Sequence, residues 1–218
     1  MKIAILGDSL AYGTGDESDG GIAGRIRSML PDIESVNLGV SGAVTSDVAR
    51  RLNQTNVRSH LKNADVIVLS IGANDLFRTP GAQQRAFEDP MKLADEILAK
   101  IAHIVSELQR ISPHARILLL GGYNPVPDHP LAFMIDGYVE MWDELLVKRF
   151  EVVKTHDLVI GANLSRYDRF HPGGPAYQAI AERIAERIAG MALPTSAAPD
   201  SDRETRPTAR ARGGSGLR

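Results

Sequence analysis

Apolar residues fall along this chain in two alternating patterns. Five short runs, KIAILG (2–7), IESVNLG (33–39), DVIVLSIG (65–72), ARILLLGG (115–122) and DLVIGAN (157–163), are rich in Ile, Val and Leu. Longer segments space their apolar positions three and four apart, as in GIAGRIRSML (21–30), MKLADEILAKIAHIVSELQRI (91–111), YVEMWDELLVKRFEVVKTH (138–156) and PAYQAIAERIAERIAGM (175–191). The short runs predict strands buried on both faces, and the longer segments predict amphipathic helices. Strands alternating with helices, joined by right-handed crossovers, give a three-layer α/β/α domain around a five-stranded parallel sheet. Ligands of such open sheets bind beyond the carboxyl ends of the strands. Chemistry is therefore expected in the residues that follow each run.

The length of 218 residues suits one such domain and not two. From Leu193 the helical spacing stops, and LPTSAAPDSDRETRPTARARGGSGLR is rich in Pro, Ser, Thr, Gly and charge. That composition cannot bury enough surface to fold. The sequence thus predicts a folded domain over 1–192 and a disordered, Arg-containing tail over 193–218. A formal net charge of -2 gives no electrostatic basis for a nucleic-acid partner. Cysteine is absent, which excludes disulfides, thiolate metal sites and a cysteine nucleophile. No run approaches the roughly 20 apolar residues that span a bilayer. The run after Met1 and Lys2 is too short for a signal-peptide core and has no small-residue cleavage site, so the expected compartment is the cytoplasm.

The segments after the predicted strands carry a coherent set of groups. Gly7-Asp8-Ser9-Leu10 follows the first, Asn37-Leu38-Gly39 closes the second, Gly72-Ala73-Asn74-Asp75 follows the third, and Asp168-Arg169-Phe170-His171 lies beyond the fifth. A serine hydroxyl becomes a nucleophile when a histidine takes its proton, and the histidine needs an acceptor on its other ring nitrogen. Asp168 and His171, three apart, can meet on one turn of chain. The backbone N–H groups of Ser9 and Gly39 and the amide of Asn74 offer three donors for the oxyanion of a tetrahedral intermediate.

Taken together, GDSL with Ser9, the block with Gly39, GAND with Asn74 and DRFH with Asp168 and His171 make the chain resemble the SGNH hydrolases, also called the GDSL esterase/lipase family. The resemblance runs from residue 2 to about residue 190. It implies a flavodoxin-like fold, a serine esterase mechanism and no cofactor. By the family's pattern Ser9 is the nucleophile and one oxyanion donor, Gly39 and Asn74 complete the oxyanion hole, His171 is the base and Asp168 orients it. A YNP sequence with a tryptophan further on is similar to the bacterial lysophospholipase-like branch and points to short-chain acyl or lysophospholipid-type esters as the small-molecule substrate.

Simpler roles compete at each position. Ser9 and Asn74 or Asp75 are residues that cap helices, and Gly39 is a residue that makes turns. Acyl transfer to another alcohol, or ligand binding without catalysis by a flavodoxin-like module, are the rival functions; P-loop and G-x-G-x-x-G signatures are absent. Asp8 and Asp75 lack the further carboxylates of a metal site and are expected to hydrogen-bond the loops around Ser9 and Asn74. His114 and His156 are expected before strands, at the opposite edge; His129, beside Asp128, is a second candidate. In the long connection after the fourth strand, Phe133 and Met134 are expected to wall an acyl pocket, while Tyr138, Met141 and Trp142 are expected to begin a helix and pack inward.

Overall fold

The computed structural model describes residues 1–18 and 20–190; the predicted tail at 193–218 lies outside them. In chain order the elements are β1 (Lys2–Gly7), α1 (Ser9–Tyr12), α2 (Gly21–Met29), β2 (Glu34–Gly39), α3 (Thr45–Arg51), α4 (Thr55–Lys62), β3 (Val66–Ser70), α5 (Ala73–Arg78), α6 (Ala82–Glu88), α7 (Pro90–Ile111), β4 (Arg116–Leu120), α8 (Ala132–Val147), β5 (Val152–Val153) and α9 (Gly174–Ala189), with a 3-10 turn at Gly161–Asn163. The sheet order is β2-β1-β3-β4-β5 and every neighbouring pair is parallel. The order reverses between β1 and β3, so the ends of these two strands flank the crevice where open α/β sheets bind ligands.

Alternation along the strands divides the core in two. Ala4, Leu6, Ile67, Leu69 and Leu119 face one layer with Leu98, Ile101 and Leu108 of α7. Ile3, Ile5, Val66, Val68 and Leu118 face the other with Ile22 and Ile26 of α2 and Ile180 and Ile184 of α9. Both faces of β1 and β3 are thereby buried, which is why their sequences read as continuous apolar runs.

The fifth strand differs from the one expected. It is Val152–Val153, which pair with Leu119 and Leu120, and the segment DLVIGAN is a loop ending in the 3-10 turn. Asn163 accounts for this: its Oδ1 accepts the Ile160 N–H at 2.8 Å and its Nδ2 donates to the Leu158 carbonyl at 2.7 Å. Those bonds use backbone groups that a ladder needs, the local competition by which Asn disfavours strands. Helix α8 correspondingly ends at Val147 instead of running to residue 156, and it starts at Ala132. Tyr138 is therefore in its second turn and partly exposed, and Trp142 packs against the α7 side of the core. His156 follows β5 and does not precede a strand. Among the described residues no helix is long and apolar enough to cross a membrane.

Candidate active site

Strand β1 ends sharply because Gly7 sits at φ 137° against β3, where any side chain would collide with the Ser70 carbonyl. The chain turns into α1 with Asp8 as its N-cap: Asp8 Oδ1 accepts the Leu10 N–H at 3.1 Å and the Ser70 hydroxyl at 2.8 Å. Asp8 takes the capping role open to Ser9, whose Oγ makes no hydrogen bond among the described residues. Burial pushes the Asp8 carboxyl up to about 6, against the bonds from Ser70 and Leu10. Ser9, the first residue of α1, is half-buried.

Gly39 and Asn74 flank this corner from β2 and α5. Gly39 lies against α1 so closely that a side chain would strike the Tyr12 backbone. Its N–H is engaged, donating to Asn37 Oδ1 at 2.9 Å, while Asn37 Nδ2 donates to the Tyr12 carbonyl at 2.8 Å. Asn74 is not a cap, since Gly72 precedes α5 in that position. Its Nδ2 donates to the Ala43 carbonyl at 3.0 Å, which leaves the second amide proton for another acceptor. Asp75 is buried and accepts from the backbone N–H and hydroxyl of Thr45 at 2.8 and 2.6 Å, holding the loop after β2 to α5.

Asp168 and His171 meet as their spacing allows. His171 Nδ1 and Asp168 Oδ2 are 2.7 Å apart, and Asp168 Oδ1 accepts the backbone N–H groups of Phe170 and His171 at 2.9 and 3.0 Å. Burial raises the Asp168 pKa, but the bonds from the His171 ring and from the two N–H groups outweigh it and hold the carboxyl below its ordinary value. Between them Arg169 adopts φ 52°, a left-handed conformation unfavourable for a side chain that is not glycine. The Phe170 ring packs edge-on against the imidazole, with centroids 5.2 Å apart. Tyr177 of α9 joins the two regions: it is fully buried, and its hydroxyl donates to the Thr14 carbonyl at 2.9 Å and lies 3.5 Å from that of Ser9. Ser9 Oγ and His171 Nε2 are not hydrogen-bonded to each other, a separation common before substrate arrives.

Phe133 and Met134 occupy the first turn of α8 and are 71% and 36% exposed, so they stand on open surface and do not enclose a pocket. A groove of about 660 Å³ lined by Val147, Phe150, Lys154, His156 and Arg183 lies along β5 and includes none of the site residues. His129 Nδ1 accepts the Leu131 N–H at 3.1 Å, and Asp128 pairs with Arg169 at 3.6 Å, so these neighbours form no dyad. His156 does pair with a buried carboxylate, Asp143, at 3.2 Å, and Asp143 also holds the Gly122 N–H at the end of β4. Neither the engagement of Asn37 nor the burial of Tyr177 beside Ser9 carries a signal in the sequence, because both depend on how separate segments approach.

Comparisons with known proteins bear on the family and the fold. The profile of the GDSL-like Lipase/Acylhydrolase family matches residues 5–210. The chain is 28% identical over 216 residues to the uncharacterized protein YpmR of Bacillus subtilis, covering 89% of this chain and 84% of that one. It is 28% identical over 209 residues to the spore germination lipase LipC of Bacillus licheniformis, covering 87% and 96%. Its fold is similar to the crystal structure of the lipase Lip_vut3 from a goat rumen metagenome, with TM-score 0.70, 25% identity and coverage of 87% and 97%. The chain belongs to the GDSL-like lipase/acylhydrolase family and is a carboxylic ester hydrolase.

Proposed function

We propose that the chain hydrolyses short-chain acyl or lysophospholipid-type esters through an acyl-enzyme on Ser9. The observation that carries this reading is the Asp168–His171 pair at 2.7 Å, on the carboxyl side of the sheet where Ser9 begins α1 with an unengaged hydroxyl. His171 Nε2 takes the Ser9 Oγ proton as Oγ attacks the ester carbonyl. Asp168 accepts the Nδ1 proton and stabilises the imidazolium, which then protonates the leaving alcohol. Water enters by the reverse sequence and releases the acid.

Three donors serve the oxyanion: the Ser9 N–H, the second Asn74 amide proton, and the Gly39 N–H once it turns from Asn37 Oδ1 to the substrate. The exposed positions of Phe133 and Met134 support an acyl group lying along an open surface next to α8. The names of two relatives, both lipases, agree with an acyl ester substrate.

The test is hydrolysis of p-nitrophenyl acetate, butyrate and octanoate by wild type and Ser9→Ala, with fluorophosphonate labelling located by peptide mass. Labelling at Ser9 and a loss of at least ~10³ in kcat in the variant are expected. Wild-type rates in Ser9→Ala overturn the mechanism, and a preference for acetylated sugars over all three esters overturns the substrate class.

A further inference from the structure

Glu17 is absent from the motifs that mark the site, yet its carboxylate bridges the two regions that must meet. Oε1 accepts the backbone N–H of Arg166 at 3.0 Å and Oε2 accepts that of Gly174 at 2.7 Å. These two N–H groups bracket the segment that carries Asp168 and His171. Gly174 is also the first residue of α9, and the N-cap there, Gly173, has no side chain to offer. Glu17 supplies the missing cap from 157 residues away, where a negative charge also favours the helix dipole. The loop that carries Glu17 is the one that leaves α1. The N–H groups of Gly13 and Thr14 both donate to the Ser9 carbonyl at 3.0 Å, and a side chain at Gly15 would come within 2.8 Å of His171 Cβ. Serine loop and histidine segment are thus in backbone contact, and one carboxylate spans them.

We infer that Glu17 is a positioning residue for the ester hydrolysis: its two hydrogen bonds fix where the Asp168–His171 turn stands relative to Ser9. The inference rests on the proposed roles of Ser9 and His171. The residues from Arg166 to Phe170 are exposed and include the unfavourable Arg169 conformation; the N–H of the buried Ser165 donates to the His171 carbonyl at 2.8 Å, and Glu17 adds the ties from both flanks of the turn to the serine loop. The bonds from Gly174, then Arg166, hold the Glu17 carboxyl below its ordinary pKa, so it stays charged throughout the neutral range. Its neighbour Asp16 does a different job. Asp16 binds Arg25 at 2.7 Å, and Arg25 reaches Gln178 of α9 at 3.1 Å, a second tie between the same loop and the same helix. That tie holds the fold when Glu17 is changed.

In Glu17→Gln one acceptor survives while the other becomes a donor facing an N–H; Glu17→Ala removes both. The expected result with soluble p-nitrophenyl butyrate is a fall in kcat of ~10- to 100-fold with KM changed by less than ~3-fold, the effect of misplacing a base without altering substrate affinity. The ring resonances of His171 in NMR spectra shift in the same variants. Gln178→Ala, which leaves the Asp16–Arg25 pair intact but cuts its link from Arg25 to α9, is expected to lower Tm and leave kcat within ~2-fold. If Glu17→Ala fails to fold, the Gln variant decides. A folded Glu17→Gln with wild-type kcat and unchanged His171 resonances overturns the inference, and so does an equal loss of kcat in Gln178→Ala, which would show general loosening. If wild type neither hydrolyses esters nor labels at Ser9, the proposed function fails, while the His171 resonances still report whether Glu17 sets the position of the turn.

Discussion

Ser9 and His171 reach one corner from opposite ends of the chain, and they are held there by different means. Around Ser9 the support is the middle of the sheet: β1 is paired on both sides, Asp8 is buried, and the Ser70 hydroxyl from β3 fixes the cap of α1. Beside His171 the backbone pairing is one isolated antiparallel bridge, Leu164 with Pro172, outside the five-stranded sheet. The segment from Arg166 to Phe170 is exposed, and its position depends on hydrogen bonds to Asp168, Ser165 and Glu17. A core that excludes water resists displacement collectively, whereas a loop held by individual hydrogen bonds moves when one is lost. On the proposed mechanism the Ser9 side is therefore robust in geometry and vulnerable only in its reacting groups, while the His171 side is vulnerable in its geometry.

Substitutions test that contrast directly. The largest effect after Ser9 itself is expected at Asn74, where alanine removes a proposed oxyanion donor on the rigid side and lowers kcat by ~10² to 10³ with little change in Tm. Asp168→Asn is expected to cost ~10² in kcat, because Asn cannot stabilise the imidazolium, and to raise the mobility of the turn by exchanging a charged acceptor for a neutral one. Hydrogen exchange at Phe170 and His171 checks the second part, and unchanged protection there would place the anchoring elsewhere. Asn37→Asp puts a charged acceptor on the Gly39 N–H, one that releases it less readily, while turning an oxygen towards the Tyr12 carbonyl that the amide now bonds, and is expected to lower Tm and to lower kcat ~10-fold without altering KM; an unchanged kcat would remove Gly39 from the proposed oxyanion hole.

The smallest effect concerns stability and pH. Asp8 has a folded pKa of about 6 against an ordinary value of 3.8, so the native state binds more protons than the unfolded one between these values. Its contribution is thus most favourable at low pH and falls as pH rises through that window, by at most about 3 kcal/mol. Asp8→Asn keeps the acceptor for Ser70 and Leu10 and removes the titration. Its Tm relative to wild type should rise between pH 4.5 and pH 7, and a constant difference would show that Asp8 does not titrate there.

The surroundings of Ser9 were legible in the sequence and those of His171 only in part. Strands β1 and β3 are apolar on both faces, so both the runs and the residues leaving them could be read directly. Asp168 and His171 could be paired because their contact is local. What stayed hidden was everything depending on distant approach: Asn37 closing on Gly39, Tyr177 reaching Thr14, and Glu17 reaching Arg166 and Gly174. The fifth strand was misplaced because Leu158, Val159 and Ile160 look like a strand, although Ile160 is 53% exposed and Asn163 ties the segment to itself. The two-residue strand that replaces it is too short to leave an apolar pattern. Phe133 and Met134, expected to wall a pocket, stand instead on open surface in the first turn of α8, because that helix begins at Ala132.

The tie between Glu17 and the start of α9 also has a temporal side. A ribosome makes the serine loop about 160 residues before the histidine segment, and domains fold largely as units during synthesis. Until the chain from Arg166 to α9 has been made and docked, the carboxylate of Glu17 has neither N–H to hold and, on the proposed mechanism, the serine has no base. On that mechanism the order of the chain keeps the hydroxyl inert until α9 emerges, and that helix, the last among the described residues, completes both the core and the proposed reactive centre.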